Sequence, residues 1–96
     1  MLSKLNAVAD KYRELEALLS DPDVMADMEK WQRYTREHAA LTPIIEAYTA
    51  YQRALATIDE DKEMLAEADA EMKEMLVEEI AEAEARRDQI AEELPI

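Results

Sequence analysis

The chain has 96 residues with no glycine, three prolines, no cysteine and no phenylalanine, and its net charge is −13 with 36% of residues charged. A chain of this size folds as one small domain, and without glycine it makes few turns of positive φ, which excludes a sheet with its frequent tight reversals. The lack of cysteine excludes disulfides and thiolate metal sites, and no run approaches the roughly 20 apolar residues of a membrane span, so a cytoplasmic protein with no membrane contact is expected.

The charge is uneven. Up to Ile58 there are seven Lys/Arg and nine Asp/Glu, whereas from Asp59 onward there are four and fifteen. A surface like the second half repels phosphate backbones and suits a basic protein partner, although solvated acidic helix faces would show the same composition.

The first predicted helix covers about 2–19, because Leu5, Val8, Tyr12, Leu15 and Leu19 recur at steps of three and four. It stops at Ser20-Asp21-Pro22. The residue before proline avoids the α region, so Asp21 is expected to be extended and to cap a new start with Pro22 in the first helical position. A short helix over 22–28 follows, with Val24, Met25 and Met28 supplying apolar contacts.

From Asp27, a second candidate cap, a long helix is predicted over 28–66. Its heptad seam runs through Tyr34, Leu41, Tyr48, Leu55 and Lys62, interleaved with Ile44, Tyr51, Ile58 and Leu65. Pro43 lies inside it, where a missing N–H predicts either a kink or a fresh start capped by Thr42. A softer break at Glu67 to Glu71 precedes a last helix over 70–94, capped by Asp69, with Leu76, Ile80, Ala83, Arg87, Ile90 and Leu94 on one stripe.

Two heptad helices joined by a short turn fold back on one another. The turn then sets Lys62 beside Leu76, Ile58 beside Ile80, Leu55 beside Ala83, Tyr51 beside Arg87, Tyr48 beside Ile90 and Ile44 beside Leu94. Arg87 over the Tyr51 ring would form a cation–π contact. The expected fold is all-α: an antiparallel, coiled-coil-like hairpin of three to four helices in all, with the first helix packed at its base around Trp31, Tyr34 and His38. The acidic tip then lies around Asp59 to Glu79.

Nothing in the sequence assembles a catalytic set. His38 stands without a nucleophile or a second ligand, and Asp21-x-Asp23 cannot open a calcium loop without its glycine. No phosphate-cradling glycine loop exists either, so no cofactor is expected and the chain is not expected to be an enzyme. Met25, Met28, Met64, Met72 and Met75 read first as core filler, with an adaptable binding surface as the lesser alternative.

Three stretches, "MLSKLNAVADKYRELEALLSDPDV", "LTPIIEAYTAYQRA" and "ADAEMKEMLVEEI", resemble the opening domain of bacterial class I peptide chain release factors, of the type that reads UAA and UAG. The resemblance covers essentially the whole chain. Thr42 and Ala70 depart from the family pattern, where an acidic residue and a proline are usual. The resemblance implies a non-catalytic module of a factor that acts on the ribosome in translation termination. The family's stop-codon motif and its Gly-Gly-Gln motif are both missing from this chain, and Pro95-Ile96 falls about where the family continues toward its central domain.

Implied partners are a ribosomal protein at the base of the stalk, the nearby rRNA, and the class II release factor GTPase. Glu67, Asp69, Glu71 and Glu74 at the acidic tip are the candidate contacts with a partner. Asp21, Pro22, Pro43, Tyr51, Asp69 and Arg87 are expected to be structural. The same heptads would also suit a free-standing acidic adaptor or an oligomeric coiled-coil scaffold, and a homodimer of the isolated fragment is a further association that the apolar stripes allow.

Overall fold

The computed structural model describes residues 2–94, with the side chain of Leu2 excepted. Pro95 and Ile96, the expected passage to a following domain, lie outside the described residues. The described residues form four helices: α1 (Leu2–Leu19), α2 (Pro22–Met25), α3 (Met28–Leu65) and α4 (Ala70–Glu93). No strand occurs among the described residues, so the class is all-α.

The corners are built without glycine, and no residue has positive φ among those described. Helices usually close on a left-handed residue that satisfies their last carbonyls. Here the chain tightens instead. Ser20 N donates to Ala17 O at 3.2 Å and Asp21 N to Leu18 O at 3.1 Å, while the Ser20 hydroxyl donates to Glu16 O at 3.1 Å. The end of α3 does the same, with Glu67 N donating to Met64 O at 3.2 Å and Ala68 N to Leu65 O at 3.4 Å.

Each new helix is opened by an aspartate. Asp21 is extended (φ −78°, ψ 122°), and its carboxylate accepts from Asp23 N at 2.9 Å while Pro22 occupies the first turn. Asp27 accepts from Lys30 N at 3.2 Å at the head of α3. Asp69 (φ −76°, ψ 178°) accepts from Met72 N at 2.8 Å at the head of α4. Short side-chain acceptors in extended conformation satisfy the orphan N–H groups of a helix start, which is why aspartate recurs at all three.

The contacts group into two compact units that divide between Glu46 and Ala47, so α3 contributes residues to both. In the first unit Leu5 and Leu15 of α1 are fully buried and Val24 of α2 is 7% exposed. Met25 and Met28 do not join it. Both are exposed, so Val24 alone of the three holds the corner down. Trp31 is exposed as well, lying over a shallow depression with Gln32, Thr35 and Arg36. Among the three aromatic groups expected to meet α1, His38 carries the contact: its ring stacks on Tyr12.

The helix runs through Pro43 with no new start at Thr42. The Thr42 hydroxyl donates to the His38 carbonyl at 2.9 Å, and its oxygen lies 3.0 Å from the Tyr12 hydroxyl. Because the single threonine proton is committed to His38, the Tyr12 hydroxyl is the donor to Thr42. One polar relay thus fastens α1 to the turn of α3 that precedes the proline.

The second unit is the hairpin. Tyr48, Ala54 and Ile58 of α3, and Leu76, Ile80 and Ala83 of α4, are buried. Ala54 and Ala83, at 2% and 0% exposure, contribute the smallest side chains to this interior. Toward the turn the seam differs from the heptad expectation: Lys62 is exposed, and Asp61, at 2% exposure, takes the interior position. A lysine can swing its ammonium into water from the seam edge, whereas Asp61 continues the 54, 58, 61 line of the helix face.

Candidate functional site

The turn and the first part of α4 form the acidic end of the hairpin. Glu67 and Asp69 precede or cap α4 and Glu71 and Glu74 lie in its opening turns; all four are exposed. Asp69 has a second duty, since its carboxylate is engaged with Met72 N. Carboxylates at a helix N-terminus are favoured by the helix dipole, so this stretch holds negative charge at little cost.

The methionines expected as core filler lie outside. Met64 is 50% exposed, Met72 47% and Met75 62%, with Val77 at 57%. Val77 and Ala81 sit in a shallow depression lined by Lys73, Glu74 and Glu78. Flexible thioethers beside carboxylates form an adaptable surface of mixed character rather than a core.

Farther down the hairpin, Arg87 and Tyr51 are both half-buried. The Arg87 guanidinium donates through Nε to Asp88 Oδ1 at 2.9 Å. That bond holds its pKa above the usual value, and burial opposes the shift, while Asp88, Glu84 and Tyr51 add electrostatic support. Among the described residues the cation–π geometry falls on Arg33 over Tyr34, 5.1 Å from the ring centroid.

Between these levels lies a pair that the sequence reading missed. Asp61 is interior, and its Oδ2 has no hydrogen-bond partner. Glu79 of α4 is exposed. The Glu79 carboxyl is raised above its usual value, first by a hydrogen bond with Asp61, then by the Asp61 charge and by burial; Glu82 adds to the shift and Arg86 opposes it. Asp61 was hidden in the run Asp59-Glu60-Asp61-Lys62-Glu63, which reads as a solvated face. Its position one turn beyond Ile58 was the available signal.

In the first unit, His38 Nε2 lies 3.5 Å from Glu16 Oε2 without completing a hydrogen bond. With its ring stacked on Tyr12 and its carbonyl taken by Thr42, His38 is tied into packing. Asp21 is half-buried in the corner, and Pro22 and Pro43 are exposed. Among the described residues no group of three or more His, Cys, Asp or Glu side chains is placed to hold a metal ion, and no helix is long and apolar enough to cross a membrane.

The described residues thus form an acidic, all-helical hairpin with aspartate caps. The chain belongs to the PCRF domain family, whose model matches residues 8–96. It is similar to proteins named peptide chain release factor 1: 41% identical over 97 aligned positions to that of Finegoldia magna and 42% to that of Clostridium botulinum. The protein of that name from Clostridioides difficile is 41% identical. Each alignment covers the full chain and 27% of the relative, so the chain spans about a quarter of the length of these relatives. No solved structure matches it.

Proposed function

We propose that the chain acts as the N-terminal module of a peptide chain release factor in stop-codon-directed translation termination, where it contacts the ribosome and takes no part in the hydrolysis itself. The observation that carries this reading is the end-to-end similarity, at 41–42% identity, to a quarter-length region of proteins named peptide chain release factor 1. A glycine-free chain has no means of supplying a Gly-Gly-Gln motif, which is consistent with a supporting role. The relatives do not favour the free-standing adaptor or scaffold.

Within this reading the acidic end is the partner surface. Glu67, Asp69, Glu71 and Glu74 present charge to a basic ribosomal protein at the stalk base, and a class II release factor GTPase is the second candidate partner. Fifteen acidic residues against four basic ones from Asp59 onward favour a protein over bare rRNA. The module works in the cytoplasm with the ribosome.

The test is a hybrid factor in which this chain replaces the matching region of a Clostridium botulinum peptide chain release factor 1. The hybrid is expected to release peptide at UAA and to lose kcat/KM several-fold when Glu67, Glu71 and Glu74 are reversed to lysine, with helicity unchanged. A hybrid that folds but supports no release overturns the reading. Release indifferent to the three reversals overturns the assignment of the surface alone.

A further inference from the structure

We propose that the start of α3 is an RNA-binding surface, on which Trp31 stacks against an unpaired base while Lys30, Arg33 and Arg36 hold the flanking phosphates. Positions 30–36 contain these three basic residues and no acidic one, in a chain whose net charge is −13. Steps of three set the cations along one slanted row of the helix surface. All three are exposed, and among the described residues no carboxylate forms an ion pair with any of them, although Glu29 and Glu37 flank the row. The Arg33 guanidinium lies 5.1 Å from the centre of the Tyr34 ring and donates to the Tyr34 hydroxyl at 3.4 Å. That ring orients the charge without cancelling it, and most of the guanidinium donors stay available.

Trp31 supplies the second element. It is 37% exposed and edges a shallow depression of about 210 Å³ with Gln32, Thr35 and Arg36. The Thr35 hydroxyl donates to the Trp31 carbonyl at 2.7 Å, so toward a ligand its oxygen is left as an acceptor. A base lying on the indole would find an amide, a hydroxyl oxygen and a guanidinium around its edge. Pockets for small-molecule ligands run to roughly 300–1,000 Å³, so this hollow suits one flat ring rather than a larger group. An acidic peptide would use the cations alone, whereas a nucleotide uses the cations, the indole and the polar rim together.

The remainder of the chain confines such affinity to this patch. From Asp59 onward fifteen acidic residues stand against four basic ones, and that stretch repels a phosphate backbone. The patch lies in the first unit, apart from the carboxylates assigned to a protein partner. That the RNA comes from the ribosome rests on the function proposed above; the binding chemistry does not.

Trp31 is the only tryptophan of the chain, so its emission reports this surface alone. Titration of the 96-residue chain with a short single-stranded oligoadenylate is expected to quench that emission saturably, while a blunt RNA duplex and poly-L-glutamate quench little. Arg33→Gln combined with Arg36→Gln is expected to flatten the dependence of log affinity on log salt by about 0.7 per lost cation. Arg53→Gln combined with Lys73→Gln removes the same charge from exposed positions elsewhere and should change affinity less. Trp31→Ala, followed by the anisotropy of a labelled oligoadenylate, is expected to weaken binding about five-fold or more.

Absence of saturable quenching overturns the proposal. Equal binding of the duplex removes the stacked base, equal binding of poly-L-glutamate makes the surface a site for acidic proteins, and equal effects of the two paired variants reduce it to net charge; each of these overturns it too. None of the measurements involves peptide release, so a hybrid factor without release leaves them standing, and their failure leaves the hybrid test intact.

Discussion

The Tyr12 ring stacks on His38 with centroids 4.1 Å apart and planes 17° from parallel, while its hydroxyl reaches past the imidazole to Thr42 at 3.0 Å. Stack and hydrogen bond are separable by chemistry. Tyr12→Phe keeps the ring and leaves Thr42 without its donor, so it is expected to destabilise the fold by about 0.5–1.5 kcal/mol. Tyr12→Ala removes both and is expected to cost more. Urea unfolding of the two variants checks the order; equal losses would place all of the energy in the hydroxyl.

The aspartate caps give a second expectation. Asp21→Ala leaves Asp23 N without its acceptor, and Asp69→Ala does the same to Met72 N; each is expected to cost about 1 kcal/mol. Asparagine at either position should restore most of the loss, because the amide oxygen accepts the same bond. Thermal melts of Asp21→Ala combined with Pro22→Ala probe the whole corner, and an unchanged Tm would deny it a part in stability.

Ala83 is fully buried and Ala54 is 2% exposed. A side chain enclosed on every side has no free space to grow into, so Ala83→Leu is expected to destabilise by about 1–3 kcal/mol through overpacking. Ala85, exposed on the same helix, provides the control: Ala85→Leu should be nearly neutral. Chemical denaturation distinguishes the two.

Pro43 withholds one N–H from the ladder of α3. Pro43→Ala restores it and is expected to stabilise the chain by up to about 3 kcal/mol, the usual penalty for proline inside a helix. Amide hydrogen exchange in the adjacent turn should slow in parallel. A loss of stability would mean that the ring makes packing contacts which outweigh the missing bond.

The all-helical class was legible because two independent signals agreed: a chain without glycine and a seam of three-four spacing. The particular residues of the seam were less so. Lys62 and Asp61 both lie about one turn after Ile58, and hydropathy ranks neither as interior; only the packed structure shows that Asp61 is the one enclosed. The methionines failed for a related reason. Apolar character alone places Met64, Met72 and Met75 inside, yet the interior near the turn is taken by Ile58, Asp61, Leu76 and Ile80, and the three methionines lie on the exposed faces.

His38 shows a different limit. Its spacing marked a helix face directed at α1, and Tyr12 does meet it there, but stacking of two rings and a threonine relay depend on rotamers that periodicity does not encode. The acidic surface was visible as a charge imbalance. Whether a given carboxylate faces outward or is enclosed was not, since that depends on which neighbour it meets across the hairpin.

The glycine-free backbone reaches beyond the corners. A chain of ordinary usage would carry roughly seven glycines at this length, each adding about 0.4–1 kcal/mol of freedom to the denatured ensemble. Their absence makes the disordered chain stiffer by a total on the order of 3–7 kcal/mol, similar in size to the whole stability of a small domain. Thin helices that meet across alanines can therefore remain folded with a modest interior, because little randomness is surrendered on the way in.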